Sequence, residues 1–185
     1  MEATIVNVVG AGRLNTEFDL GKIANDIAAT TARYDPNKHP GVHIRLQNNG
    51  PMITLYRNGK YHITGSSSVK HLNETRREFI ASLENLNMPS DFGNDPFSVD
   101  NVVCTATYSN PIDLNRLSVR LGLENIEYEP EQFPALIYRH PGLSPVVLIF
   151  SSGKLVITGA VDIEEAQTAC DEIEPELQDM TNDQD

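Results

Sequence analysis

The chain has 185 residues, with 14 Lys or Arg against 26 Asp or Glu and a formal charge of −12; only five of the basic residues are Lys. It holds no run of 18 apolar residues, which excludes a membrane-spanning helix, and "MEATIVNVVG" lacks the basic flank of a signal peptide, so the expected setting is the cytoplasm. Residues 1–94 carry 10 basic and 9 acidic side chains while residues 95–185 carry 4 and 17; such self-repulsion suits a salt-rich cytoplasm better than an ordinary one, and taken alone it argues against a nucleic-acid partner.

In chain order, "TIVNVVGA" alternates as a strand, with Val6 and Val8 on one face and Asn7 and Val9 on the other. Asp19 then stands as an N-cap before Leu20, Ile23, Ala24 and Ile27, which recur at helical spacing. Strands are expected over 42–46, 52–56 and 60–64, the last two joined by a hairpin at "RNGK" whose Gly supplies a positive φ. A helix near 68–86 closes the unit, and residues 89–98 read as a Pro- and Gly-punctuated linker.

The same series then resumes. "VDNVVCTA" sets Val102 and Cys104 against Asn101 and Val103, and Asp113 caps a helix carrying Leu114, Leu117 and Leu121. Strands follow over 136–140, 146–150 and 154–158, with "SSGK" as the hairpin, then a helix near 162–178 and a polar tail, 181–185, read as frayed. Sliding residues 5–88 onto 99–182 gives 17 identities in 84 with no gap. Pro36/Pro130, Pro40/Pro134, Gly59/Gly153 and Gly65/Gly159 are among them, and such residues fix backbone geometry. The chain is a duplication, with repeats at 4–88 and 99–180.

Strands outnumber helices and no β-α-β alternation occurs, so an α+β fold is expected, its helices on one face of an antiparallel sheet. Cys104 and Cys170 fall on the helix side, as inert core thiols. The other face stays open. In the second repeat, alternation assigns it Asn101, Val103, Thr105, Leu148, Phe150, Val156 and Thr158, with Phe133 at a strand start and Arg139 and Lys154 on the rim. An open face this apolar is a binding surface. No nucleophile–base pair, phosphate loop or paired carboxylates stand out, so no enzyme and no cofactor are expected. His39, His43 and His62 have no carboxylate or Cys at ligand spacing, which argues against a metal.

The duplicated frame "NVV…DL…YEPEQFPALIYR…LIFSSGKLVITGA" is similar to the TATA-box-binding protein family over about residues 4–180, and the acidity together with "LGLENIEYEPEQFP" resembles a haloarchaeal member. The resemblance implies two pseudo-symmetric repeats forming a curved ten-stranded antiparallel saddle, with helices on the convex face. It implies a general transcription initiation factor, nucleoid-associated, that binds the minor groove of A/T-rich promoter DNA and bends it. Transcription factor B, and through it RNA polymerase, would be partners, and the open face could pair two copies when DNA is absent. Phe133 and Phe150 match the family's wedges between bases; Asn101 and Thr158 would donate to base edges over a floor of Val103, Leu148 and Val156, and Arg139 and Lys154 would reach phosphates. Glu129, Glu131 and Gln132 match the positions that bind transcription factor B. The first repeat keeps Asn7, Val9, Arg45, Lys60 and Thr64, but has Ala11 for Thr105, His39 and Tyr56 for the wedges, Thr54 for Leu148 and His62 for Val156. The alternative is a divergent paralogue: a protein-interaction module or specialised regulator with weakened or altered DNA binding.

Overall fold

The computed structural model describes residues 1–86, 92 and 95–182. The elements run β1 (Thr4–Arg13), α1 (Leu20–Asp26), β2 (Thr31–Arg33), β3 (Gly41–Arg45), β4 (Met52–Tyr56), β5 (Lys60–Ser66) and α2 (Val69–Glu84), then β6 (Phe97–Thr107), α3 (Leu114–Leu121), a 3-10 turn (Leu123–Asn125), β7 (Ile126–Glu127), β8 (Ala135–Arg139), β9 (Val146–Phe150), β10 (Lys154–Ala160) and α4 (Ile163–Asn182). Ten antiparallel strands and four α-helices give the fold class expected from the sequence. Alternation missed β2 and β7, which are too short to show a period.

Two compact units can be described, one of residues 7–100 and one of residues 1–6 with 101–185. In the first, the strands lie in the order β2-β3-β4-β5-β1, with α1 against β3 and α2 against β5. The core is the helix-facing set: Val8, Val42, Ile44, Ile53, Leu55, Tyr61, Ile63, Leu72, Phe79 and Leu83 are fully buried. Val6, expected to share the face of Val8, is 52% exposed, because the β1–β5 register ends at Val8 opposite Ser66. β6 starts at Phe97, inside the segment read as linker; residues 89–91, 93 and 94 of that segment lie outside the described residues. Phe97 is strand because it has a place to pack. Its ring stacks on Tyr61 (5.9 Å between centroids), lies 5.0 Å from the Arg76 guanidinium and covers Gly10, where a Cβ would meet it at 2.5 Å. The Tyr61 hydroxyl donates to Asp95 (2.6 Å), which also pairs with Arg76; burial, then the carboxylate, push that phenol far above its usual range.

The second unit repeats the order as β6-β10-β9-β8-β7, with α3 against β8, and α4 against β10 and α3. Val102, Cys104, Leu136, Ile149, Leu155, Ile157, Cys170 and Ile173 form its core. Burial raises the Cys104 thiol above its usual range and Cys170 to about 11, so both sulfurs are protonated and packed. Asp19 and Asp113 cap as expected: Asp19 accepts from Lys22 N (3.1 Å), Asp113 from Asn115 N (3.0 Å) and Arg116 N (3.1 Å). At the entry to α4, Asp162 accepts from Glu165 N (2.8 Å) and Glu165 from Val161 N (2.9 Å), so side chains take up two amides there. It continues through Pro175 and past 178 because Leu177 and Met180 are buried; residues 183–185 of the expected tail lie outside the described residues.

Both hairpins turn on a Gly that nothing else can replace without strain. Gly59 (φ 79°) and Gly153 (φ 89°) each accept a backbone bond from the first strand's end, from Leu14 N (2.9 Å) and Tyr108 N (2.8 Å). A Cβ would meet Leu14 O at 2.0 Å or Tyr108 O at 2.4 Å.

Candidate nucleic-acid interface

The open face of each unit is organised by a bulge. Between the pairs Val8↔Ser66 and Gly10↔Ile63, one residue of β1 (Val9) faces two of β5 (Thr64 and Gly65). Between Ile157↔Cys104 and Ala160↔Val102, Val103 faces Thr158 and Gly159. The second bulged residue in each case is a Gly at positive φ, 92° and 85°. A bulge leaves an amide outside the ladder, and Asn supplies its acceptor: Gly65 N donates to Asn7 Oδ1 (2.9 Å), Gly159 N to Asn101 Oδ1 (2.8 Å). The orientation of the carboxamide follows from chemistry, since only its oxygen can accept. Asn101 Nδ2 gives one hydrogen to Thr158 Oγ1 (3.2 Å), which leaves the other for a ligand.

The aromatic positions are built alike in both units. Asp35 O accepts from His39 N (3.0 Å) as Glu129 O accepts from Phe133 N (2.9 Å), so the frame "DPNKH" or "EPEQF" closes a turn that presents one ring at the start of a strand. Phe133 is 41% exposed and 6.2 Å from Phe150, edge-on to it at an interplanar angle of 68°. His39 stands 5.9 Å from Tyr56. His39 is also tethered, its Nδ1 accepting from Gly41 N (3.1 Å). Glu129, Glu131 and Gln132 are all exposed, and the Gln132 amide is bonded to the Glu129 carboxylate within the turn.

Between these features runs a cross-strand row that sequence reasoning saw only in part. In the second unit it is Ile137↔Leu148↔Val156↔Thr105, in the first His43↔Thr54↔His62↔Ala11. Ile137 and His43 were missed as floor positions; the signal was the parity they share with Arg139 and Arg45, already placed on the rim. Around the row of the first unit the rings form a chain, with His39 4.5 Å from His43 and Tyr56 edge-on to His62 at 6.0 Å. Burial first, and His39 second, hold the His43 imidazole below the usual 6.5. Among the described residues no three His, Cys, Asp or Glu side chains form a group that could hold a metal.

The rim is partly engaged. Arg45 bonds the carbonyl of Gly50, and Arg139 Nε bonds Glu127 Oε1 at 3.2 Å, so each would have to turn to meet an anion. Lys60 and Lys154 are exposed beside the hairpins.

Comparison with known proteins agrees with this architecture. A family model described as "Transcription factor TFIID (or TATA-binding protein, TBP)" matches residues 2–86 and again 96–180. TATA-box-binding protein C of Halobacterium salinarum is 43% identical over 180 residues, 97% of this chain and 99% of the relative. The TATA-box-binding protein of Archaeoglobus fulgidus is 37% identical, covering 94% and 93%. Among solved structures, Methanococcus jannaschii TBP superposes with a TM-score of 0.81 at 33% identity, over 97% of this chain and 99% of that one.

Proposed function

This chain belongs to the TATA-binding protein family, whose role is that of a DNA-binding general transcription factor, and we propose that the open face of each repeat lies in the minor groove of A/T-rich promoter DNA and bends it. The observation that carries this reading is the twice-built bulge that commits the Asn7 and Asn101 oxygens to Gly65 and Gly159. It turns an amide, which could donate or accept, into a donor. A·T pairs show only acceptors in the minor groove, so an oriented donor over an apolar floor fits them. Phe133 and Phe150 would wedge between bases, at a cost of a few kcal/mol offset by the larger contact of a bent duplex. Arg45, Arg139, Lys60 and Lys154 would meet phosphates. Transcription factor B would dock on the exposed turn of Glu129, Glu131 and Gln132, and bring RNA polymerase with it. No catalytic step is part of this proposal.

Asn101→Asp tests it with almost no change of shape. The carboxylate still accepts from Gly159 N, so the melting temperature should hold. Its outward oxygen would face base acceptors, an unpaired contact worth about 1–3 kcal/mol, and it adds a charge of the same sign as the phosphates. Binding to a TATA-containing duplex, measured at molar salt with transcription factor B, should weaken by about tenfold or more. Unaltered binding would remove the Asn from the base-reading role. A regulator with altered sequence preference is the second reading, and the histidine row of the first repeat is what favours it.

A further inference from the structure

The two rows described above stand at equivalent places in the two repeats and offer a duplex different chemistry. Each side chain alternates with fully buried neighbours: His43 lies between Val42 and Ile44, Thr54 between Ile53 and Leu55, and His62 between Tyr61 and Ile63. All three therefore project from the face away from the helices. Their strands are paired directly, His43 opposite Thr54 and Thr54 opposite His62, so the row spans two strand spacings, roughly 10 Å. The second repeat fills the same row with Ile137, Leu148 and Val156.

Resting on the reading proposed above, we infer that His43, Thr54 and His62 make the first repeat a reader of minor-groove steps containing G·C pairs, so that the two repeats select different sequences. A G·C pair differs from A·T in the minor groove by the guanine amino donor. Against Ile, Leu and Val that donor is buried without a partner, which costs about 1–3 kcal/mol. Against the first repeat it meets acceptors. A hydroxyl oxygen has two lone pairs, and a neutral imidazole has one bare ring nitrogen. The lowered titration of His43 keeps its ring neutral, and hence able to accept, under neutral conditions. The same imidazole carries one N–H, so it also serves the A·T acceptors that Ile137 can only pack against. The rings are held for this use. His39 lies over His43 at 4.5 Å and Tyr56 sits edge-on to His62, which limits how far either imidazole can turn away.

The test is selection from random duplexes by the full chain at molar salt, compared with a variant carrying the second repeat's own residues, His43→Ile, Thr54→Leu and His62→Val. The wild type should enrich an asymmetric motif, A·T throughout one half and admitting G·C in the other. The triple variant should enrich A·T in both halves, and should bind a duplex with G·C in that half about tenfold or more weakly than the wild type does. His62→Val alone, at an exposed position, should shift selectivity in the same direction if the triple variant folds poorly. Val156→His should conversely admit G·C under the second repeat. A wild-type motif of A·T in both halves, or one that the substitutions leave unchanged, would overturn the inference while leaving DNA binding intact. No enriched motif from the wild type, with or without transcription factor B, would overturn the minor-groove reading and this inference together.

Discussion

Gly153→Ala is expected to lower the thermal midpoint by about 6–12 °C, corresponding to roughly 3 kcal/mol or more in a chain of this size. Two costs combine. An L-residue at φ 89° is strained by about 1–2 kcal/mol. In addition the new Cβ would lie 2.4 Å from Tyr108 O and 2.9 Å from Asn110 O, both backbone atoms that move only if the turn itself moves. That turn is held by Tyr108 N donating to Gly153 O, so relief of the clash loosens the bond. Gly159→Ala supplies the control. Its φ is nearly the same, 85°, but the nearest atom to an added Cβ is 3.7 Å away, so only the conformational cost applies, about 1–2 kcal/mol and roughly 2–8 °C. Differential scanning calorimetry of the two variants separates steric from conformational strain. Equal losses would mean that the hairpin shifts freely to make room.

The second large effect is on binding. Phe150→Ala should weaken association with a TATA-containing duplex by about 10- to 100-fold, the range that loss of one base-stacking side chain gives. Tyr56→Ala should cost less. Its partner His39 is equally close, 5.9 Å against 6.2 Å for the Phe133–Phe150 pair, so geometry does not separate the two. Chemistry does. His39 has Nδ1 tied to Gly41 N, and driving its ring between bases would bury an Nε2–H with nothing to receive it. Phe133 carries no such group. Titration of both alanine variants by fluorescence anisotropy decides the matter, and equal losses would show that the first repeat wedges as well.

Much of this was legible in the sequence because the duplication doubles every signal. A single Gly or Pro is weak, but Gly59 with Gly153, or Pro36 with Pro130, fixes the same turn twice. The caps at Asp19 and Asp113 and the buried alternation of β4, β5, β9 and β10 follow from local chemistry, and local chemistry is what a sequence displays. What depends on register was hidden. Gly65 and Gly159 were visible as a matched pair, yet not as bulges, because a bulge exists only against the partner strand. The complete His43–Thr54–His62 row likewise needs the pairing of three strands, of which the sequence showed two members. The rim arginines looked available, but Gly50 and Glu127 hold them through contacts that no spacing rule predicts.

The packing of the two sulfurs makes the protein a ready substrate for site-directed labelling. The thiolate is the nucleophile that attacks a maleimide, and Cys104 and Cys170 are fully buried with their ionisation pushed upward. A cysteine introduced at the exposed hairpin residue Ser151 should therefore take a maleimide dye at neutral pH while the natural pair stays unmodified, as intact mass after brief reaction would record. Fluorophores can then be set at chosen points of either repeat, and the trajectory of a bound duplex followed by energy transfer, without first engineering a cysteine-free background.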